Sequence, residues 1–310
     1  MDAPVLALDK VGRVLAGRRV VNELCLKVAR GEVLGLLGVN GAGKSTTLRM
    51  IAGVLAPSTG TIRVDGKDLS EHPELARRGI GYLPETPPLH AELAVGEFLE
   101  FCARLHGLAG RSRAAAARAI ERCGLGEVRR RLIGALSKGF RQRVGLAQAI
   151  VHEPGLIVLD EPASGLDPVQ ALHLRELVRG LGADHAIVLS THVLPDVLAC
   201  CDRVAILHEG RLRHEGSLAP AADGAVLRVR VAKPVGQDDW RDLPMVAAAL
   251  PVAHDAGLWQ IRLQAGATAS ALAAAVVARG FGLEELRAEN SALEDVFMAI
   301  AAGETEAVAA

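Results

Sequence analysis

A lysine and two hydroxyls behind a row of glycines are the most legible chemistry in this chain. The run Gly38-Val39-Asn40-Gly41-Ala42-Gly43-Lys44-Ser45-Thr46 has the spacing G-x-x-x-x-G-K-[ST] of a phosphate-cradling loop. Glycines at these positions let successive backbone N–H groups turn inward on phosphate oxygens. The N-terminus of a following helix adds its partial positive charge. Lys44 then reaches the β- and γ-phosphates, and the Ser45 hydroxyl is a Mg²⁺ ligand. The bland alternative is a glycine-rich turn with a chance lysine. The flanks argue against it: Val33-Leu34-Gly35-Leu36-Leu37 reads as a buried parallel strand, and Thr47-Leu48-Arg49-Met50-Ile51-Ala52 opens a helical pattern.

A pair of carboxylates, Asp160-Glu161, ends the apolar run Leu156-Ile157-Val158-Leu159. At the tip of a strand beside a phosphate loop, Asp160 suits the holding of Mg²⁺ through water. Glu161 suits the orientation and deprotonation of an attacking water. By itself the pair, followed by Pro162, is also an acidic helix cap. His192, in Ser190-Thr191-His192, falls at the carboxyl edge of the sheet, where doubly wound folds bind ligands; it could donate to a γ-phosphate or hold the water. Glu85, after Tyr82-Leu83-Pro84, lies at another strand end. Asp167, in Ser164-Gly165-Leu166-Asp167-Pro168, reads alone as a turn residue. Ser137, in Leu136-Ser137-Lys138-Gly139-Phe140-Arg141-Gln142, is a good cap for a helix carrying Val144, Leu146, Ala147 and Ile150. With the Gly139 backbone and the helix dipole it could also form a second anion site, and the cap alone does not decide.

The elements that must hold these residues follow in order. Residues 1 to about 32 alternate as strands, and Thr61 to Lys67 is a strand closing on an Asp-Gly turn. From Val95 to Leu136 the spacing turns helical, with an alanine-rich stretch from Arg111 to Cys123. Leu156–Leu159 and Ala186–Ser190 are buried strands separated by a helix, as in βαβ units. Val204–Leu207 and Arg211–Arg213 form a closing hairpin around Glu209-Gly210. Beyond a linker-like Ala219-Pro220-Ala221-Ala222-Asp223-Gly224, a smaller α+β segment is expected. It has a strand at Val226–Val231, a helix near Trp240 to Leu250, a strand at Trp259–Leu263, and helices around Ala269–Ala278 and Leu293–Ala301.

Composition bounds the partners. The net charge is −1 and the aromatics are five Phe, two Trp and one Tyr, so neither a basic field nor a base-stacking platform for nucleic acid is present. Five cysteines make no C-x-x-C pair; the vicinal Cys200-Cys201 reads as small buried residues on a helix. A reducing cytosol suits them. No signal peptide is evident after Met1, and no run approaches the roughly 18 apolar residues of a spanning helix.

Taken together and in this order, the motifs make residues 1–218 similar to the nucleotide-binding subunit of an ATP-binding-cassette (ABC) transporter. Gly38–Thr46 matches Walker A, Glu85 the Q-loop, Leu136–Gln142 the signature, Leu156–Glu161 Walker B, Ser164–Asp167 the D-loop and His192 the switch histidine. The resemblance implies an α/β fold: a mixed-sheet P-loop ATPase core, an antiparallel β subdomain and a helical subdomain at about 92–140. Residues 219–224 would link it to a small α+β domain at 225–303, with a tail at 304–310. It implies ATP and Mg²⁺ as ligands, with Gly38, Asn40, Gly41, Ala42, Gly43, Lys44, Ser45 and Thr46 on the nucleotide and Ser45, Asp160 and Glu85 on the metal. Lys44, Glu161 and His192 would be catalytic. It also implies a head-to-tail homodimer in which Ser137, Gly139 and Asp167 of one copy complete the other's site.

Three departures stand out. Glu85 replaces the usual Q-loop glutamine, Lys138 enters the signature, and no aromatic residue stands near Leu15 to stack on adenine. The first two, with Ser291-Ala292-Leu293-Glu294-Asp295-Val296-Phe297, resemble the subgroup that serves ABC-2-type membrane exporters. The expectation is a cytoplasmic ATPase held on the inner membrane face by separately encoded integral membrane permease subunits. The competing reading is a soluble, non-transport cassette ATPase acting as a regulatory switch, but neither a second cassette nor a long coiled-coil insertion is present. A GTPase lacks support, because Asn-Lys-x-Asp is missing.

Overall fold

The computed structural model describes residues 3–218, 225–252, 255, 257–288 and 291–302. The linker expected at 219–224 and the tail expected at 304–310 lie outside the described residues. The chain folds as two compact units, the first built on residues 3–218 and the second on residues 225–299.

The first unit contains two sheets. Strands β1 (Leu6–Leu15), β2 (Arg18–Val28), β4 (Thr59–Val64) and β5 (Lys67–Asp68) pair antiparallel in the order β2-β1-β4-β5. Strands β3 (Val33–Leu37), β6 (Ile80–Leu83), β7 (Leu156–Asp160), β8 (Ala186–Thr191), β9 (Arg203–His208) and β10 (Arg211–Ser217) make the second, in the order β10-β9-β3-β8-β7-β6. All its pairings are parallel except that of β10, which returns antiparallel on β9. Every residue of β3, β7 and β8 is buried, which is why these segments read as unbroken apolar runs rather than alternating ones. Helix α1 (Lys44–Ile51) sends Leu48, Met50 and Ile51 into a core shared with Leu6, Leu24 and Leu26 of the antiparallel sheet and Leu34, Val158 and Val188 of the parallel one.

Helix α2 (Pro73–Arg78) precedes β6. Helices α3 (Val95–Leu105), α4 (Ser112–Arg122) and α5 (Lys138–Ile150) form the insertion between β6 and β7. Helices α6 (Pro168–Gly182) and α7 (Leu194–Cys200) follow β7 and β8. Cys200 ends α7, Cys201 caps it, and both are buried.

The second unit runs β11 (Val226–Val231), α8 (Gln237–Arg241), β12 (Val246–Pro251), β13 (Leu258–Leu263), α9 (Ala269–Ala278), β14 (Leu283–Ala288). The antiparallel sheet has the order β12-β13-β11-β14, the split βαβ arrangement of ferredoxin-like folds. Its mainly aliphatic core holds a small aromatic cluster: the Trp240 ring lies 5.8 Å from Trp259 and 5.6 Å from Phe281. Here the helix expected from Trp240 to Leu250 is corrected. The helix stops at Arg241, just before Leu243-Pro244, because a proline restrains the residue ahead of it. The alanine run then pairs with β13 as a strand; tertiary pairing overrides its helix propensity. Strand β14 was not anticipated, since its Leu-Glu-Glu-Leu spacing carries no period of two. Helix α10 (Ser291–Ala302) closes the described chain.

Candidate functional site

The site is assembled at one edge of the parallel sheet by register. Leu37 is level with Thr191, Asp160 with Ser190, and Leu83 with Leu159. The residues that follow β3, β6, β7 and β8 therefore emerge side by side at the carboxyl ends of their strands, the ligand edge of such folds.

The phosphate loop turns out of β3 and into α1. Gly43 caps the helix at φ +101, and a side chain there would be strained and would meet the Val20 carbonyl at 2.8 Å. Gly210, at φ +76, is pressed on the same carbonyl, its amide donating to Ala42 O at 3.0 Å. The loop is thus clamped between β2 and the β9–β10 turn. The first amides of α1 have no intrahelical acceptor and are available to an anion. Lys44 is 6% exposed, and its Nζ donates to Gly38 O at 2.7 Å and Val39 O at 3.3 Å. It also stands 3.5 Å from Glu161 Oε1.

The carboxylates are tied to this loop. Ser45 Oγ donates to Asp160 Oδ1 at 2.9 Å, and Ser190 Oγ donates to the same oxygen at 2.8 Å. The backbone N–H of Glu161 donates to Ser190 Oγ at 2.9 Å. Glu161 has φ +46, an uncommon conformation for a residue with a side chain and one concentrated at functional sites. Its Oε2 accepts from His192 Nδ1 at 3.0 Å, so one carboxylate bridges lysine and histidine. His192 stays half-exposed. Thr191, beside it, is held by Asp196, which Arg175 in turn pairs. Together Asn40–Thr46, Val20, Glu85, Glu161, Ser164 and His192 line a cleft of about 390 Å³.

Lys44, Ser45, Asp160, Glu161, His192 and Glu85 are brought together; Ser137, Gly139 and Asp167 are not. Ser137 caps α5, accepting from the Phe140 amide at 3.4 Å. Gly139 is buried so tightly that a Cβ would meet Gln170 Oε1 at 2.6 Å. Asp167 caps α6, accepting from the Gln170 amide at 2.9 Å. Lys138, with Glu85 and Ser164, lines a neighbouring cavity of about 370 Å³. Leu15, at the β1–β2 hairpin, is an exposed aliphatic residue. Ser190 and the Val20–Gly210 clamp escaped the sequence reading. The only available signal was a hydroxyl at a strand tip beside Asp160.

The donor set suits a hard cation: a hydroxyl and a carboxylate already share a hydrogen bond, with Glu85 on the cleft wall. Among the described residues no group of three or more His, Cys, Asp or Glu could hold a metal ion. A hydroxyl–carboxylate pair of this kind fits the few protein ligands that a Mg²⁺ ion takes when water and phosphate oxygens complete its shell.

Known proteins resemble this chain over most of its first unit. Residues 21–164 match the family model described as ABC transporter. The chain is 39% identical over 235 residues to the daunorubicin/doxorubicin resistance ATP-binding protein DrrA of Streptomyces peucetius, covering 74% of this chain and 71% of that one. It is 38% identical over 225 residues to the Nod factor export ATP-binding protein I of Paraburkholderia xenovorans (strain LB400), covering 72% and 73%. Among solved structures, the ATP-binding subunit of an ABC transporter superposes with a TM-score of 0.62 at 36% identity, covering 69% of this chain and 90% of that one.

Proposed function

This chain belongs to the ABC transporter family of ATP-binding subunits, and on that premise we propose that it hydrolyses ATP in the Lys44 cleft to power export through separate, ABC-2-type membrane subunits. The observation that carries the chemistry is the Glu161 carboxylate, bridged between Lys44 and His192 over a phosphate loop. Lys44 Nζ is held by loop carbonyls and by Glu161, and triphosphate oxygens, as stronger acceptors, would draw it away. That frees Glu161 to accept a proton from water, with His192 Nδ1 holding its orientation. Ser45 and Asp160 would hold Mg²⁺, with Glu85 as a further oxygen donor, and the chemistry it would supply is neutralisation of developing phosphate charge.

The second anion site, Ser137 with Gly139, stands outside this cleft in its own chain. It serves a second copy, so two chains close head to tail over two ATP molecules, with Asp167 beside that seam. Closure then depends on ATP, and hydrolysis releases it. Among the described residues no helix is long and apolar enough to cross a membrane. On the transport reading, the chain works from the cytoplasmic face, attached through separate permease subunits. Relatives named for drug resistance and Nod factor export support an exporter.

The test is recovery of the native complex. Affinity purification from detergent-solubilised membranes should co-purify an integral membrane protein and Mg²⁺-dependent ATPase activity. Recovery on ribosomes or DNA, with no membrane partner, would overturn the transport reading in favour of a regulatory switch.

A further inference from the structure

Ser190 has no assigned part in this chemistry, yet it touches both acidic residues of the site. It sits near the end of β8, fully buried, level with Asp160 on β7. A serine hydroxyl owns one hydrogen. The Glu161 N–H can only donate, so it takes a lone pair of Ser190 Oγ at 2.9 Å. The single hydroxyl hydrogen then goes to Asp160 Oδ1, at 2.8 Å. This fixes the direction of the chain of bonds: Glu161 backbone to Ser190, Ser190 to Asp160.

Two features make that chain more than the satisfaction of a buried polar group. Asp160 Oδ1 has a second donor, Ser45 Oγ, at 2.9 Å. When Ser45 is engaged at the nucleotide's cation, Ser190 is the hydroxyl that remains to keep the Asp160 carboxylate in place. Glu161, meanwhile, has φ +46. Its amide bond to Ser190 pins that backbone, and with it the direction in which the side chain leaves toward Lys44 and His192.

We infer that Ser190 is a positioning residue that orients the cation-holding carboxylate and the water-activating glutamate through one hydroxyl. The inference rests on the proposed ATPase reading and deepens it. Supporting partners of this kind typically change metal affinity or activity by about 10–100-fold when removed.

Four chains of full length are compared: parent, Ser190→Ala, Ser190→Thr and Glu161→Gln. ATP binding is measured by calorimetry in EDTA and in Mg²⁺, and turnover by phosphate release. In Ser190→Ala, kcat should fall about tenfold or more, and the KM for Mg²⁺-ATP should rise only by the severalfold that the smaller Mg²⁺ gain accounts for. Affinity in EDTA should match the parent, and the gain in affinity on adding Mg²⁺ should shrink severalfold. Ser190→Thr, which keeps the hydroxyl, should restore kcat and the Mg²⁺ gain. If threonine does not fold in this packed strand, Ser190→Cys takes its place and should recover part of both losses. Parental kcat and Mg²⁺ gain in Ser190→Ala would overturn the inference. So would a lowered melting temperature with both preserved, or a folded hydroxyl variant that recovers neither. Parental turnover in Glu161→Gln would instead strike at the ATPase chemistry itself. A dead Glu161→Gln beside a normal Ser190→Ala would remove only the role of Ser190.

Discussion

Lys44 is a buried cation with three oxygen partners: two loop carbonyls and Glu161. Removing it takes away the ammonium that meets the phosphates and leaves Glu161 facing only His192. Lys44→Ala should therefore weaken ATP binding on the order of a hundredfold, as truncation of one member of a desolvated charge pair does. Equilibrium binding of a fluorescent ATP analogue checks this; an affinity within threefold of the parent would contradict it. The sequence disclosed Lys44 and Ser45 through the spacing of the phosphate loop, and Asp160, Glu161 and His192 because each is a reactive type at or just past the end of a buried strand. It did not disclose Ser190, whose partners come from strand register, nor the left-handed backbone of Glu161, to which local sequence gives no clue. Asp167 shows the opposite: within one chain it is the cap that its turn sequence suggests.

At the scale of elements, parallel strands in register gather the chemistry, and the helical insertion is joined to them by specific side chains. One joint is a pair of histidines. His106 caps α3, and His152 lies just beyond α5, their rings stacked at 3.7 Å and 3°. The His152 Nε2 donates to Ile80 O, at the start of the strand leading to Glu85. Burial pushes His152 down to about 4, with the neighbouring His106 adding to the effect, and burial lowers His106 as well. The folded state thus prefers both rings neutral. Between about 6.5 and 4 the unfolded chain takes up protons that the folded chain refuses. Stability from this joint is complete above pH 6.5 and is lost as pH falls toward 4, on the order of 2–3 kcal/mol for His152. Denaturant midpoints at pH 7.5 and 5.0 should fall less in His152→Phe than in the parent; equal falls would contradict the joint. The pattern of elements in the first unit was legible because fully buried strands are apolar throughout. In the second unit Ala247–Ala249 and Leu283–Ala288 have helix-forming composition, and only the open edges of β13 and β11 make strands of them.

The whole molecule carries half of each proposed site. The cleft holds the lysine loop, the carboxylates and the histidine, while the Ser137–Gly139 helix tip lies apart from it. The two would meet only across two copies, with ATP between them. Ligand that binds the paired form alone favours pairing in proportion to its concentration.

The most direct measurement is the mass of Glu161→Gln in solution, by light scattering, with and without Mg²⁺ and ATP. The expected result is monomer mass without nucleotide, a doubled mass with it, and turnover lowered by about 10²–10⁴-fold while ATP stays bound. A chain that keeps monomer mass at saturating ATP, or that hydrolyses ATP at the parental rate, would contradict the account.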